Sequence, residues 1–153
     1  MRYDGPSTNN VRTESEHGLV YLDTSALVKI VIDEEESAAL RSWYAERRER
    51  LSSVVTGVEL RRAARRVLPM TSRGRSDLER ETEVLLNGLQ LLELDAEVAT
   101  RAARLEPPAL RSLDAIQLAT ALSLDELDYF VTYDERLAEA ARAAGLAVAS
   151  PGR

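Results

Sequence analysis

Residues 19–29, with the sequence LVYLDTSALVK, contain the signals that decide the fold. The apolar run Leu19–Leu22 has the length and composition of a short buried strand. The Asp-Thr-Ser that follows is typical of a point where a strand ends and a helix begins, because these side chains accept hydrogen bonds from the free N–H groups of a helix start. We therefore predict a strand over residues 19–22 and a helix over residues 26–32.

The alternation of strand and helix continues along the rest of the chain. Further strands are predicted over residues 51–55, 89–94, 129–132 and 147–149, with helical segments between them. Helix caps are predicted at Thr56, Ser76, Asp95, Ser112 and Asp134. Short strands that alternate with helices imply a parallel sheet with helices on both faces. The predicted fold class is therefore α/β, a three-layer α/β/α domain with a central, mainly parallel sheet.

The length of the chain suits one compact domain. Its 153 residues leave little room for a second domain, and a hydrophobic content of 44% can supply a core. Residues 1–18 lack the apolar centre of a signal peptide and are predicted to form a mobile N-terminal extension, with the folded domain over residues 19–150. No apolar run approaches the ~18 residues that a membrane span needs. We expect a cytoplasmic protein without a membrane segment.

Residue types that are missing or rare narrow the chemistry. The chain has no cysteine, which excludes disulfides, thiolate metal ligands and a cysteine nucleophile. His17 is the only histidine, so neither a Ser-His-Asp triad nor a histidine-rich zinc site is expected. A bound metal ion would be held by oxygen ligands, which indicates Mg²⁺ or Mn²⁺.

Four acidic residues are candidates for such a site. Asp23 and Asp134 follow predicted strands, and the carboxyl ends of parallel strands meet at the functional edge of a sheet. Asp114 lies in the first turn of a helix that is apolar nearly all round, so its carboxylate needs a partner. Glu59 lies on a helix that is otherwise rich in arginine.

Each acid also has a simpler structural interpretation. Asp23 and Asp134 can cap helices, and Asp114 can interact with the dipole of its own helix. Glu59 can form a surface ion pair. Together, however, acids at one sheet edge repel each other, by roughly 4 kcal/mol for two carboxylates about 4 Å apart at an effective dielectric of 20. Such a cluster must bind cations or hold protons, and a divalent ion both relieves the repulsion and can activate water.

The distribution of charge along the chain affects whether a nucleic acid can be its partner. The net charge of −6 argues by itself against one. If the four acids form one metal pocket, the rest of the chain carries only −2 (−6 plus 4), and the objection disappears. Arg62 and Arg66 share the helical face of Glu59, and we hypothesise that they contact RNA phosphates. They can equally be solvated charges or contacts for the carboxylates of a protein partner.

These segments resemble the PIN domain, and in particular the VapC-type toxins of toxin–antitoxin pairs. Residues 19–29 resemble the first motif of the family, and Asp23 matches its first acid. Glu59, within SVVTGVEL at residues 53–60, matches the second acid, and Asp114, within RSLDAIQLATA at residues 111–121, matches the third. Asp134, at the end of VTYD, matches the fourth. The resemblance extends from about residue 19 to residue 150.

The resemblance implies an activity and partners. It implies an endoribonuclease that cleaves RNA by a metal-activated water, with Mg²⁺ or Mn²⁺ as the cofactor. It also implies a toxin that is silenced by a cognate antitoxin protein and that forms a homodimer. The competing interpretation is a non-catalytic module of the same fold, which would bind RNA or an antitoxin without cleaving RNA.

The resemblance also assigns roles to residues. Metal ligation and catalysis fall to Asp23, Glu59, Asp114 and Asp134. Thr24 or Ser25 is expected to form a hydrogen bond near the first acid. Gln117 departs from the family pattern, because many relatives have histidine at this position, and the resemblance gives it no role.

Two other enzyme classes fit the sequence poorly. A phosphatase of the haloacid-dehalogenase type needs an Asp-x-Asp motif, and Ser25 occupies the second position of that motif here. A response-regulator receiver domain needs a late lysine, and the only lysine of this chain is Lys29.

Overall fold

The structure is a computed structural model that describes residues 18–70 and 74–153. Within these ranges the strands are Leu19–Leu22 (β1), Glu49–Ser53 (β2), Gln90–Leu92 (β3), Tyr129–Val131 (β4) and Val148–Ala149 (β5). They form one sheet in the order β3-β2-β1-β4-β5, and every pairing between them is parallel. The predicted parallel sheet is confirmed, and the residues predicted as a mobile extension lie outside the described ranges, except Gly18.

Helices connect the strands. In the described ranges they are Thr24–Val31 (α1), Ser37–Ala45 (α2), Val54–Val67 (α3), Arg75–Asn87 (α4), Ala96–Ala103 (α5), Ser112–Ala121 (α6) and Glu135–Ala143 (α7). A single turn of 3-10 helix, Leu68–Met70, extends α3. None of the described helices is both long enough and apolar enough to cross a bilayer.

The alternation of side chains along β1 explains the three layers. Successive residues of a strand point to opposite faces of the sheet. Val20 and Leu22 pack on one face, in a core formed with α1, α2, α3 and α4. Tyr21 packs on the other face, with Leu118 of α6 and Leu137 of α7. Because both faces of the sheet are covered, all of β1 beyond Leu19 is buried, as its apolar sequence predicts.

Two of the predicted helix caps are confirmed and three are wrong. Ser76 is the second residue of α4 and not its cap, because the helix begins at Arg75 with Gly74 at the N-cap position. Asp95 and Asp134 accept hydrogen bonds from the third residue of their helices, as predicted. Ser53, not Thr56, caps α3, because β2 ends there and the helix follows without a loop. The N-cap position of α6 is Arg111, not Ser112, and it makes no side-chain capping hydrogen bond.

The order of the strands reverses at β1, and this reversal indicates where a binding site is expected. The strand β1 pairs with β2 on one side and with β4 on the other. Parallel sheets bind ligands at such a switch point, beyond the carboxyl ends of the strands. The backbone N–H of Asp23 donates to the carbonyl of Val131 (3.1 Å), which holds the two strand ends together.

Candidate active site

A groove of about 820 Å³ opens beyond the carboxyl ends of β1 and β4. Its walls include all four acids that the sequence singled out and four arginines. These lining residues are Asp23, Glu59, Asp114, Asp134, Arg62, Arg66, Arg111 and Arg153. The acids come from four separate segments of the chain, so only the packing of the helices around the sheet brings them to one groove.

Asp23 is the most buried of the four acids, with 3% of its surface exposed. It directly follows β1 and caps α1, since Oδ1 accepts a hydrogen bond from the backbone N–H of Ala26 (3.0 Å). The hydroxyl of Ser25 donates to the same oxygen (2.6 Å), and the hydroxyl of Thr132 donates to Oδ2 (2.8 Å). Asp23 therefore caps α1 and lines the groove at the same time.

Burial raises the pKa of Asp23 to about 6. An ionised carboxylate loses its hydration when it is buried, and this loss favours the protonated form. The hydrogen bonds from Ser25, Ala26 and Thr132 act in the opposite direction, because they stabilise the ionised form. The negative charge of Asp114 raises the pKa of Asp23 further. Asp23 is therefore protonated at a higher pH than an exposed aspartate, and a cation bound beside it would favour its ionised form.

Glu59 lies on α3 and is half-buried at the groove wall. Its Oε2 accepts hydrogen bonds from the hydroxyl of Thr24 (2.6 Å) and from the side-chain amide of Gln117 (3.1 Å). Within the described ranges these are its hydrogen-bond partners, and neither is an arginine. Glu59 is thus tied to α1 and α6 rather than to a surface cation.

Asp114 and Asp134 are joined by one arginine. The guanidinium of Arg111 donates from Nε to Oδ2 of Asp114 (2.7 Å) and from Nη2 to Oδ2 of Asp134 (3.0 Å). The other oxygen of Asp134 caps α7 by accepting from the N–H of Leu137 (2.9 Å). Hydrogen bonding to Asp114 and the nearby negative charges raise the pKa of Arg111. Asp114 was expected to need a partner for its charge. Arg111 is that partner, and it lies three residues earlier, at the N-cap position of the same helix.

The donor set of the groove fits a hard divalent cation in its chemistry. All four acids present carboxylate oxygens, which are the ligands that Mg²⁺ and Mn²⁺ prefer. In the arrangement that the structure describes for residues 18–70 and 74–153, no three acidic or histidine side chains are grouped so as to hold an ion. Arg111 is the cation that joins two of the acids, and 72% of its side chain is exposed, so it can swing out of the groove.

Arg62 and Arg66 lie on the α3 wall of the groove, and both are exposed. Arg61, on a different face of the helix, donates two hydrogen bonds to the carboxylate of Glu83 on α4 (both 2.7 Å). Arg65 does not line the groove. The helical spacing therefore separates the two arginines that face the acids from the two that do not.

Three residues with defined contacts were missed or only partly anticipated. Thr132 donates to Asp23 and accepts from the N–H of Asp134 (3.1 Å), so it links two of the acids. Arg111 could have been found from its i to i+3 spacing to Asp114. Gln117 could have been found as the one amide in an otherwise apolar helix, since a buried amide requires hydrogen-bond partners.

The fold and the groove together define a class of protein. It is a three-layer α/β/α domain with a parallel sheet and with carboxylates at the switch point of that sheet. The sequence model of the PIN domain matches residues 20–143, and the chain belongs to that family. A solved structure, PAE2754 from Pyrobaculum aerophilum, has the same fold, with a TM-score of 0.61 and 20% identity over 94% of this chain and 92% of that chain.

The curated relatives are bacterial proteins of nearly the same length. Ribonuclease VapC35 of Mycobacterium tuberculosis is 46% identical over 140 residues, which cover 88% of this chain and 98% of the relative. Ribonuclease VapC47 of the same species is 39% identical over 139 residues, with the same coverage. Ribonuclease VapC46 is 40% identical over 133 residues, which cover 86% of this chain and 97% of the relative.

Proposed function

We propose that this protein is a metal-dependent endoribonuclease and the toxin of a toxin–antitoxin pair. The observation that carries the proposal is the convergence of four acids from separate segments on one groove. The similarity to ribonucleases named VapC supports RNA as the substrate. The reaction is the hydrolysis of a phosphodiester bond within an RNA chain.

The metal ligands in this proposal are Asp23, Glu59, Asp114 and Asp134, and the ion is Mg²⁺ or Mn²⁺. When bound, such an ion lowers the pKa of a water molecule and neutralises negative charge on the phosphodiester. Ser25 and Thr132 orient Asp23 through hydrogen bonds to its two oxygens. The protein thus presents one buried acid in a fixed direction, and the more exposed acids complete the set.

Substrate binding falls to the arginines of the groove. Arg62 and Arg66 lie on the wall next to the acids, where a phosphate on either side of the scissile bond could reach them. A guanidinium can donate two parallel hydrogen bonds to one phosphate, which both binds and orients it. Arg111, once displaced from its two acids, is a further cation at the same groove.

The remaining parts of the proposal concern partners and location. We propose that a cognate antitoxin covers the groove, that the protein is a homodimer, and that it acts in the cytoplasm. Exposed apolar side chains support a protein partner at the groove, since Val58 is 62% exposed and Leu113 is 44% exposed there. Light scattering on a size-exclusion column tests the dimer directly, and a mass equal to 17.0 kDa would contradict it.

The decisive experiment is RNA cleavage by the purified protein. Structured RNA is incubated with Mn²⁺ and with EDTA, and the products are sequenced at their ends. Asp23→Asn and Asp114→Asn are expected to abolish cleavage, because each removes a charged ligand. Asp95→Asn is the matched control, since asparagine also caps helices and Asp95 lies outside the groove.

The outcome also separates the enzyme from a non-catalytic module. An absence of Mn²⁺-dependent cleavage across tRNA, rRNA and mRNA pools would contradict the enzyme and favour the module. Equal loss of cleavage in Asp95→Asn would show that the effect of the other two substitutions is not specific to the groove.

A further inference from the structure

A buried amide stands directly behind Glu59. Gln117, in the middle of α6, is 2% exposed. The two N–H groups on its Nε2 are shared among three acceptors, Oγ1 of Thr56 (2.9 Å), Oγ1 of Thr24 (3.1 Å) and Oε2 of Glu59 (3.1 Å). Its Oε1 accepts a hydrogen bond from the hydroxyl of Tyr21 (2.6 Å). Both ends of the amide are therefore hydrogen-bonded, as a buried amide requires.

The surroundings fix which end of the amide faces Glu59. The ionised Glu59 carboxylate can only accept, so the NH₂ group must lie on its side and the amide oxygen on the side of Tyr21, whose hydroxyl donates to it. The reverse orientation would place two oxygens with lone pairs against each other at Glu59. The ring of Tyr21 is itself stacked on Phe130 (5.5 Å between ring centres), so the sheet holds the hydroxyl in place.

The consequence for Glu59 is that one of its two oxygens is pinned. Thr24 and Gln117 both donate to Oε2, and within the described ranges no other donor contacts the carboxylate. Glu59 has three rotatable side-chain bonds, so without these donors its carboxylate would sample several positions at the groove wall. With Oε2 held, Oε1 remains for a cation.

We propose that Gln117 is a positioning residue that holds Glu59 in the conformation needed to bind a divalent cation, and that the Tyr21 hydroxyl anchors the amide of Gln117 at its other end. This inference rests on the proposed function, in which Glu59 is a metal ligand. A neutral amide suits this task because it donates to the carboxylate without adding a positive charge that would compete with the ion. Hydrogen bonds to metal ligands commonly change metal affinity about 10–100-fold when they are removed.

The test measures Mn²⁺ affinity by titration calorimetry on the full chain. Gln117→Met keeps the length of the side chain and removes its donors, and it is expected to weaken Mn²⁺ binding by about tenfold. Gln117→His restores one N–H donor and is expected to recover part of that loss. Tyr21→Phe keeps the ring stack and removes the hydroxyl, and it is expected to weaken binding by a smaller factor.

A second background shows whether Gln117 acts through Glu59. In Glu59→Gln the carboxylate is gone, so Gln117→Met is expected to change Mn²⁺ affinity by less than about twofold there, because coupled residues do not act additively. Thr82→Val is the structural control. Thr82 is 1% exposed and donates to the carbonyl of Leu78 (2.8 Å) on α4, so its replacement removes a buried hydrogen bond away from the groove and should leave Mn²⁺ affinity unchanged.

The Mn²⁺ affinities of these variants distinguish a positioning role of Gln117 from a purely structural one. Wild-type affinity in Gln117→Met, or an equal loss in the Glu59→Gln background, would overturn the inference and leave Gln117 as a structural residue. If Glu59→Gln itself binds Mn²⁺ like the wild type, both the assignment of Glu59 as a ligand and this inference fail. If Gln117→Met does not fold, Tyr21→Phe in the two backgrounds gives the same comparison, and wild-type affinity in Tyr21→Phe then overturns the inference.

Discussion

Asp23 combines two roles at one residue that oppose each other energetically. As the cap of α1 it stabilises the helix start, and as a buried carboxylate it is costly to ionise. Enzyme sites commonly keep such groups where stability alone would remove them. For two of the other acids, Asp114 and Asp134, the negative charge is balanced by ion pairs with Arg111.

We expect Asp23→Asn to stabilise the folded protein at pH 7. Because the pKa of Asp23 is raised from 3.8 to about 6 on folding, its contribution to stability is fully present below pH 3.8 and is lost as the pH rises through 6. Asparagine carries no charge, so it should raise the free energy of unfolding by up to about 3 kcal/mol at pH 7 and by progressively less toward pH 4. Urea unfolding in EDTA at a series of pH values measures this difference. A difference that does not depend on pH would contradict the assigned cause.

Arg111→Gln is expected to tighten Mn²⁺ binding by several-fold. The substitution removes a cation that holds Asp114 and Asp134, so an ion no longer has to displace it. The free energy of unfolding should change by less than about 1 kcal/mol, because the side chain of Arg111 is largely exposed. Calorimetric titration tests the affinity, with Arg80→Gln as the control, since Arg80 forms an exposed pair with Asp77 at the same i to i+3 spacing. Weaker binding in Arg111→Gln would mean that Arg111 instead holds the two acids in position for the ion.

At the scale of elements, the site depends on where three helices begin. The helices α1, α6 and α7 each start at the groove, and each places one of the four groove acids at or within its first turn. The helix α3 contributes Glu59 from its second turn, held by contacts to α1 and α6. Asp23 and Asp134 cap α1 and α7 and also line the groove, whereas Asp114 lines it without capping α6.

At Asp134 the observed capping role can be separated by substitution from the proposed role as a metal ligand. Asp134→Ala removes the hydrogen bond to the N–H of Leu137 and should lower the free energy of unfolding by about 1 kcal/mol. Asp134→Ser keeps a capping oxygen and should recover most of that stability. Both variants should bind Mn²⁺ more weakly than the wild type, because both lack the carboxylate. Thermal unfolding and Mn²⁺ titration on the pair give the answer, and full Mn²⁺ affinity in Asp134→Ser would make Asp134 a cap alone.

At the scale of the whole molecule, charge is distributed unevenly. The chain has a net charge of −6, yet its groove has acids on the floor and exposed arginines on the α3 wall. Such an arrangement permits an acidic protein to bind a polyanion locally while the remainder of its surface repels it. The salt dependence of RNA binding reports on the local cations rather than on the net charge.

We expect the double variant Arg62→Ala, Arg66→Ala to weaken RNA binding without changing Mn²⁺ affinity. If each arginine contacts one phosphate, the slope of log K against log salt should become shallower by about 1.4, that is, about 0.7 per contact on single-stranded RNA. Fluorescence anisotropy in EDTA measures binding without cleavage. The double variant Arg65→Ala, Arg136→Ala has the same change in charge outside the groove and should keep the wild-type slope. Identical slopes in all three proteins would exclude Arg62 and Arg66 as phosphate contacts.

The layers and the order of the elements follow from local patterns in the sequence. The apolar run of β1 predicts a buried strand, and the alternation of short strands with helices predicts the parallel sheet that the structure has. Helix boundaries were less well predicted, as at Thr56 and Ser112, because a strand can pass into a helix without a loop and a helix can begin without a capping side chain.

Which side chains contact each other depends on the packing of the complete fold. Gln117 contacts Glu59 across 58 residues of sequence, and Arg111 contacts Asp134 across 23. These contacts have no sequence period, because they depend on how α1, α3, α6 and α7 pack around the reversal of strand order at β1. Hydrogen bonds need distances near 3 Å and correct donor directions, and such geometry is determined only when the packing of the whole sheet and its helices is complete.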